Sequence, residues 1–149
     1  GTWKGGREKA PAAICRKVIE TPDGSDIEIW GDGSQTRSFL YIDGCIEGVR
    51  RLMQSDWSGP VNIGSDEMVT INELVDTAET LAKKKLNRVY KLDAPTGVRG
   101  RNSDNKLIQE KLGWSPKYPL VDGITRTYDW IWDQINIQDL QQNGRPFLN

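Results

Sequence analysis

The chain has 149 residues, 36% apolar and 28% charged, and its acidic and basic residues nearly cancel at a net charge of −1. That length is enough for one domain with its own hydrophobic core. The charge balance excludes a general polyanion binder, which shows basic stripes and a high pI. No apolar run is long enough to cross a bilayer, and residues 1–9 are polar and basic without the apolar centre of a signal peptide. A cytoplasmic protein with no nucleic-acid and no membrane partner is therefore expected. Cys15 and Cys45 are too few for a disulfide framework, and each reads as a small apolar residue of a helix. The absence of histidine excludes Ser-His-Asp and Cys-His catalysis within the chain, and any His-ligated zinc. Proton chemistry is left to Lys, Tyr, Asp, Glu or Cys.

In chain order, residues 11–18 predict a helix, with Pro11 in the first turn, where its missing N–H is no loss. The Thr21-Pro22-Asp23-Gly24-Ser25 stretch is a turn by its chemistry. Ile27, Glu28, Ile29 and Trp30 alternate as a strand that stops at Gly31-Asp32-Gly33. Ile42, Cys45, Ile46, Val49, Leu52 and Met53 recur at three- and four-residue steps, an amphipathic helix. Val61, Asn62 and Ile63 predict a short strand of the buried type ending at Gly64. Thr70-Ile71-Asn72-Glu73 matches a capping box and opens a helix whose apolar face carries Ile71, Leu74, Val75, Ala78, Leu81 and Ala82. Three lysines, from Lys83 to Lys85, suit the negative end of that helix. Residues 88–92 predict a strand, 97–103 a loop rich in Gly and Arg, and 105–112 a short helix ending at Gly113. A last helix is predicted over 120–135, followed by a polar, frayed tail over 138–149.

Alternating helices and strands define an α/β class. The helices outnumber about three short strands, fewer than a self-sufficient doubly wound sheet carries. More apolar helix face is present than this sheet can cover, so further polypeptide is expected to cover it.

Glycine is abundant, with 15 residues, but Gly31-Asp32-Gly33-Ser34-Gln35-Thr36 puts Thr36 where a dinucleotide fingerprint has its third glycine. It also opens no obvious helix. No P-loop occurs, and no tyrosine has a lysine four residues later, so the machinery of hydride transfer is not expected in this chain.

Three basic stretches carry candidate chemistry. Gln35 and Arg37 are two apart, so an extended backbone sends both side chains to one side. There a guanidinium can fork onto phosphate oxygens with an amide beside it. Gly97-Val98-Arg99-Gly100-Arg101-Asn102-Ser103-Asp104 again sets two arginines two apart, framed by glycines that let backbone approach a ligand. Lys4-Gly5-Gly6-Arg7-Glu8-Lys9 lies just before a helix, whose positive dipole end lowers the pKa of a lysine and makes it a usable proton donor. Each stretch taken alone reads more simply as a solvated basic loop. The six tryptophans suit packing more than sugar stacking.

Taken together, the Trp-Gly-Asp-Gly-x-Gln-x-Arg-x-Phe run from Trp30 to Phe39, then Asn62-Ile63-Gly64-Ser65, then Leu112-Gly113-Trp114-Ser115-Pro116 resemble the C-terminal half of extended short-chain dehydrogenases acting on nucleotide sugars. Four stretches narrow the resemblance to the GDP-mannose 3,5-epimerase family. These are residues 1–13, Gln35-Thr36-Arg37-Ser38-Phe39, residues 62–69 and residues 97–104. The likeness extends to about Ile135.

The resemblance implies an NAD-dependent isomerase in which the sugar is oxidised at C4 to a ketone. That acidifies the hydrogens at C3 and C5, and a cysteine and a lysine move protons on opposite faces. By position, Lys9 matches the proton-donating lysine. Glu8, Ala10, Lys17, Gln35, Thr36, Arg37 and Arg101 match contacts to a GDP-sugar, with Arg37 and Arg101 suited to the diphosphate. Residues 1–137 would form the nucleotide-sugar-binding domain. A Rossmann domain holding NAD, the catalytic cysteine and the Tyr/Lys pair would precede Gly1, and a homodimer would form through that missing half. The chain alone would be inactive. Cys15 and Cys45 do not match the catalytic cysteine. A nucleotide-sugar 4-epimerase, a 4,6-dehydratase and a non-catalytic nucleotide-sugar-binding module are the alternatives.

Overall fold

A computed structural model of the chain describes residues 2–147. Helix α1, Ala10–Glu20, begins with extended Lys9 as its N-cap and Pro11 in the first turn. It buries Ile14, Cys15, Val18 and Ile19, the three- and four-residue spacing of one helix face. Strand β1, Asp26–Trp30, buries Ile27 and Ile29 and exposes the residues between them. It pairs in parallel with β4, Asn87–Lys91, with Asp26 opposite Asn87 and Trp30 opposite Lys91.

Helix α3, Ile71–Ala82, opens on the capping box that the sequence predicts. The Thr70 side chain accepts from the Glu73 backbone N–H, and the Glu73 carboxylate accepts from the Thr70 N–H. It ends at Lys83, which is left-handed at φ 53. Helix α1 packs on α3 and on α5, Leu120–Asn143, and those two also meet. The core lies between them and β1, built on Val18, Ile19, Leu74, Val75 and Ile131. Burying each such side chain stabilises the fold by roughly 1.5–3 kcal/mol.

Three sequence expectations change. Residues 61–63 are irregular, not a strand. Among the described residues no strand pairs with them, and an apolar run without a ladder partner has nothing to hold it in a sheet. The further short pairing is instead β2, Thr36–Arg37, antiparallel to β3, Val69–Thr70. Helix α5 runs eight residues past Ile135, to Asn143. Its last turns are held by the Lys4 ammonium, which donates to Gln138 Oε1 at 2.5 Å, and by Phe147, which packs edge-on to Trp132 at 6.1 Å. Residues 148 and 149 of the predicted tail lie outside the described residues.

Helix α2, Ile42–Met53, is amphipathic as predicted, but its apolar stripe faces outward. Ile42, Ile46, Val49 and Met53 are 56, 58, 44 and 81% exposed. The side turned to the body carries buried Gly44 and Gly48. A Cβ on Gly48 would stand 2.6 Å from Ile63 Cγ2 and 3.0 Å from the Trp114 ring, so only glycine lets the helix come this close. The short helix α4, Lys106–Leu112, ends at left-handed Gly113, as predicted.

Candidate functional site

After β1 the chain turns on Gly31 and Gly33, at φ +75 and +74. Both glycines are required by close neighbours. A Cβ on Gly33 would lie 2.3 Å from Asn72 Oδ1, and one on Gly31 would lie 2.5 Å from Thr96 Cγ2. Asn72 also donates its backbone N–H to Gly33 O at 3.1 Å and its amide to Asp32 O at 3.3 Å. The turn is thus bolted to the start of α3. Asp32 accepts from the hydroxyl and the N–H of Ser34 at 2.7 and 2.8 Å, and these bonds hold its carboxyl below the ordinary range.

This packing sets Gln35, Thr36 and Arg37. Gln35 donates its amide to Trp30 O at 2.7 Å, so it closes the turn rather than standing open beside the guanidinium. Arg37 donates to Thr36 O at 2.6 Å and to Thr96 O at 2.8 Å. The Thr36 N–H donates to Arg99 O at 2.9 Å, and a Cβ on Gly100 would come within 2.5 Å of Thr36 Oγ1. The loop that carries Arg101 therefore lies directly against β2. The structure brings two of the three basic stretches together: Thr36 and Arg37 half-buried, Arg101 exposed at the edge.

The far end of that loop is tied down as well. Ser103 N–H donates to Ser65 O at 3.1 Å, Asn105 donates its amide to Gly64 O at 3.0 Å, and a Cβ on Gly64 would meet Ser103 Cβ at 2.7 Å. Glu67 in turn accepts the N–H of Leu120 at 2.8 Å, at the positive end of α5. The Asn-Ile-Gly-Ser stretch is thus an anchor for the arginine loop.

The third stretch enters α1. Lys9 is its exposed N-cap, and Ala10 is its half-buried first residue. Glu8 is turned inward with a side chain only 6% exposed, and its Oε1 accepts from Arg16 at 2.9 Å. Its own backbone N–H and the Arg16 guanidinium hold its carboxyl below the ordinary value of 4.5. Glu8 Oε2 and Arg16 Nε are enclosed without a hydrogen-bond partner. Lys17 points away from this loop and donates to Glu28 O on β1 at 3.1 Å.

Pro11, two residues past Lys9, and Phe39, two past Arg37, line one apolar cavity of about 230 Å³ with Tyr41, Leu120 and Ile124. The start of α1 and the end of the arginine segment are therefore walls of the same space. Arg16 and Thr96 are residues that sequence reasoning missed, and Arg99, read there only as one of a pair of arginines, serves β2 through its backbone carbonyl. The only local signal for Arg16 is its i, i+4 spacing to Glu20, and the backbone contacts of Thr96 and Arg99 leave no side-chain signature.

Two bases of exclusion follow from the same geometry. Asn72 and Thr96 fill the space over Gly31 and Gly33, so this turn is no cradle for a dinucleotide pyrophosphate. Among the described residues no group of three or more Cys, Asp or Glu is placed to hold a metal ion, and no helix is long and apolar enough to cross a membrane.

The fold and these loops define the class as the helix-rich, α/β C-terminal part of an extended short-chain dehydrogenase. The chain belongs to the family whose model is described as GDP-mannose 4,6 dehydratase, which matches residues 4–127. Among curated proteins, the GDP-mannose 3,5-epimerase of Arabidopsis thaliana is 58% identical over 135 residues, covering 91% of this chain and 35% of that protein. The chain thus spans about a third of the length of the curated relatives it matches. The UDP-glucose 4-epimerase of Thermotoga maritima, solved with UDP-glucose, has a TM-score of 0.77 at 26% identity, over 87% of this chain and 41% of that one. The UDP-glucuronic acid 4-epimerase of Bacillus cereus, solved with NAD, has a TM-score of 0.71 at 26% identity, over 85% and 38%.

Proposed function

We propose that this chain is the substrate-binding part of an NAD-dependent nucleotide-sugar epimerase that converts GDP-mannose to GDP-L-galactose and GDP-L-gulose through a 4-keto sugar. The observation that carries the reading is the identity to the Arabidopsis thaliana GDP-mannose 3,5-epimerase along nearly all of this chain. The seating of Arg37 and Thr36 against residues 96–100, the loop that goes on to Arg101, supports it, because guanidinium groups carried by adjoining segments suit a diphosphate.

In this reading Arg37 and Arg101 hold the diphosphate, while Gln35 and Thr36 shape the wall beside it. Ala10 lies on the side nearer the sugar with Glu8 enclosed beneath it, and Lys17 joins them only by leaving its bond to Glu28 O. Lys9, exposed at the N-terminus of α1, delivers a proton to the carbon next to the ketone. NAD is held outside these residues, since the glycine turn here is filled by Asn72 and Thr96. The chain alone is then inactive, and the complete protein is a cytoplasmic homodimer. A nucleotide-sugar 4-epimerase or 4,6-dehydratase is the second reading, favoured by the likeness to the Thermotoga maritima enzyme.

Calorimetric titration of the chain with GDP-mannose tests the site. Weak binding is expected, at least about tenfold weaker in Arg37→Ala and in Arg101→Ala, the loss of one charged hydrogen-bond donor. Nanomolar binding by the chain alone, or unchanged affinity in both variants, contradicts the reading. Competition with UDP-glucose separates the two substrate classes. In the complete protein, Lys9→Ala abolishes epimerisation and leaves hydride exchange at C4 partly intact.

A further inference from the structure

Arg16 belongs to none of the motifs that mark the site, yet it pairs with Glu8 in the segment that ends at Lys9. That segment contains Gly5 and Gly6, both left-handed at φ +91 and +81, and a Cβ on either would meet nothing within 4 Å. No close neighbour demands these two glycines, but their left-handed backbone does, at a bend that nothing packs against. Upstream of the bend the chain is anchored by buried Trp3 and by the bond from Lys4 to Gln138. Downstream, the side-chain anchor is the pair of Glu8 and Arg16 at 2.9 Å.

Arg16 lies two helical turns beyond Lys9. Helical side chains lean toward the N-terminus, so its guanidinium reaches back over the start of α1. The other branch of the fork holds Glu20 at 2.8 Å on the following turn. The guanidinium is thus fixed along the helix axis by one carboxylate and grips the loop with the other. A planar fork is suited to such two-sided bridging, whereas an ammonium is a single point charge. The Glu8 carboxylate is almost fully enclosed, so water screens this contact less than it does a surface pair.

We propose that Arg16 is a positioning residue: through Glu8 it locks the Gly5-Gly6 joint and thereby aims Lys9 at the reacting carbon. This rests on the role given to Lys9 above. A proton donor displaced by about 1 Å loses on the order of 10²-fold in rate, so releasing this joint is felt at the chemical step.

The test uses Arg16→Met and Arg16→Lys, with two readouts. The first is ¹⁵N relaxation of this chain. Arg16→Met is expected to lower the order parameters of Gly5, Gly6 and Lys9 from about 0.85 to below about 0.6, while α3 and α5 keep theirs. The second is deuterium wash-in from D₂O at C3 and C5 of the sugar in the complete protein. It should slow about 10²-fold in Arg16→Met, more than KM changes, with partial recovery in Arg16→Lys. Should Arg16→Met not fold, Glu8→Gln, which keeps the shape but weakens the grip, carries both readouts. Unchanged loop order and unchanged wash-in overturn the proposal. Epimerised product that survives Lys9→Ala removes the role of Lys9, and the relaxation arm then still decides whether Arg16 holds the loop.

Discussion

Lys84 Nζ donates at 2.8 Å to the carbonyl of Ile19, and its two further bonds go to Val18 O at 3.2 Å and Thr21 O at 2.8 Å. One ammonium from the loop after α3 thus binds three carbonyls at the end of α1, the negative end of the helix dipole. The link staples two of the three core helices at the end far from the candidate site. Lys84→Met keeps the length of the side chain and removes every donor. It is expected to cost about 1–3 kcal/mol of folding stability, read as a lower midpoint in urea unfolding at unchanged slope.

Gly33 and Gly24 share φ +74 but differ in surroundings. A Cβ on Gly24 meets nothing, whereas one on Gly33 runs into the Asn72 side chain. Gly24→Ala should therefore cost only the backbone strain, about 1–2 kcal/mol. Gly33→Ala should cost more, because Asn72 must also abandon its bonds to Asp32 O and Tyr90. Thermal unfolding of the two variants side by side checks the difference. Equal losses would mean that the Asn72 contact contributes nothing.

The outward stripe of α2 predicts an asymmetry that the sequence pattern hides. Ile46 and Leu74 are both aliphatic residues on amphipathic helices, but Ile46 is 58% exposed and Leu74 1%. Leu74→Ala should destabilise the chain by about 2–5 kcal/mol. Ile46→Ala should stay within about 0.5 kcal/mol. Chemical denaturation of both variants decides it, and a large loss at Ile46 would place the stripe inside the fold.

The two free cysteines should differ in reactivity. Cys15 is 1% exposed, and burial pushes its thiol up to about 12. Cys45 on α2 is only half-buried. At pH 8 iodoacetamide should therefore modify Cys45 in the folded chain and reach Cys15 only after unfolding, because the thiolate is the reacting form. Peptide mass mapping of native and denatured samples reads the outcome.

Most helices and the main strands were legible in the residues, because local chemistry sets them. The alternation of Ile27 and Ile29, the capping box at Thr70 and Glu73, and Gly113 at the end of α4 each act within a few residues. The candidate site was legible as three separate stretches and no more. That the loop of Arg101 lies on β2 depends on backbone bonds such as Thr36 to Arg99, which any side chain permits. Arg16 was invisible for a related reason. Its partner Glu8 lies outside the helix, and no periodicity links the two.

By itself the sequence determined which segments are helical, where they are capped, and which residues can carry charge to an anionic ligand, since these follow from interactions along a few residues of chain. Tertiary structure alone decided which face of α2 turns inward, why residues 61–63 find no ladder, and which basic stretches meet. Those outcomes depend on contacts between distant segments, where a glycine admits a neighbouring helix or a missing strand leaves an apolar run unpaired.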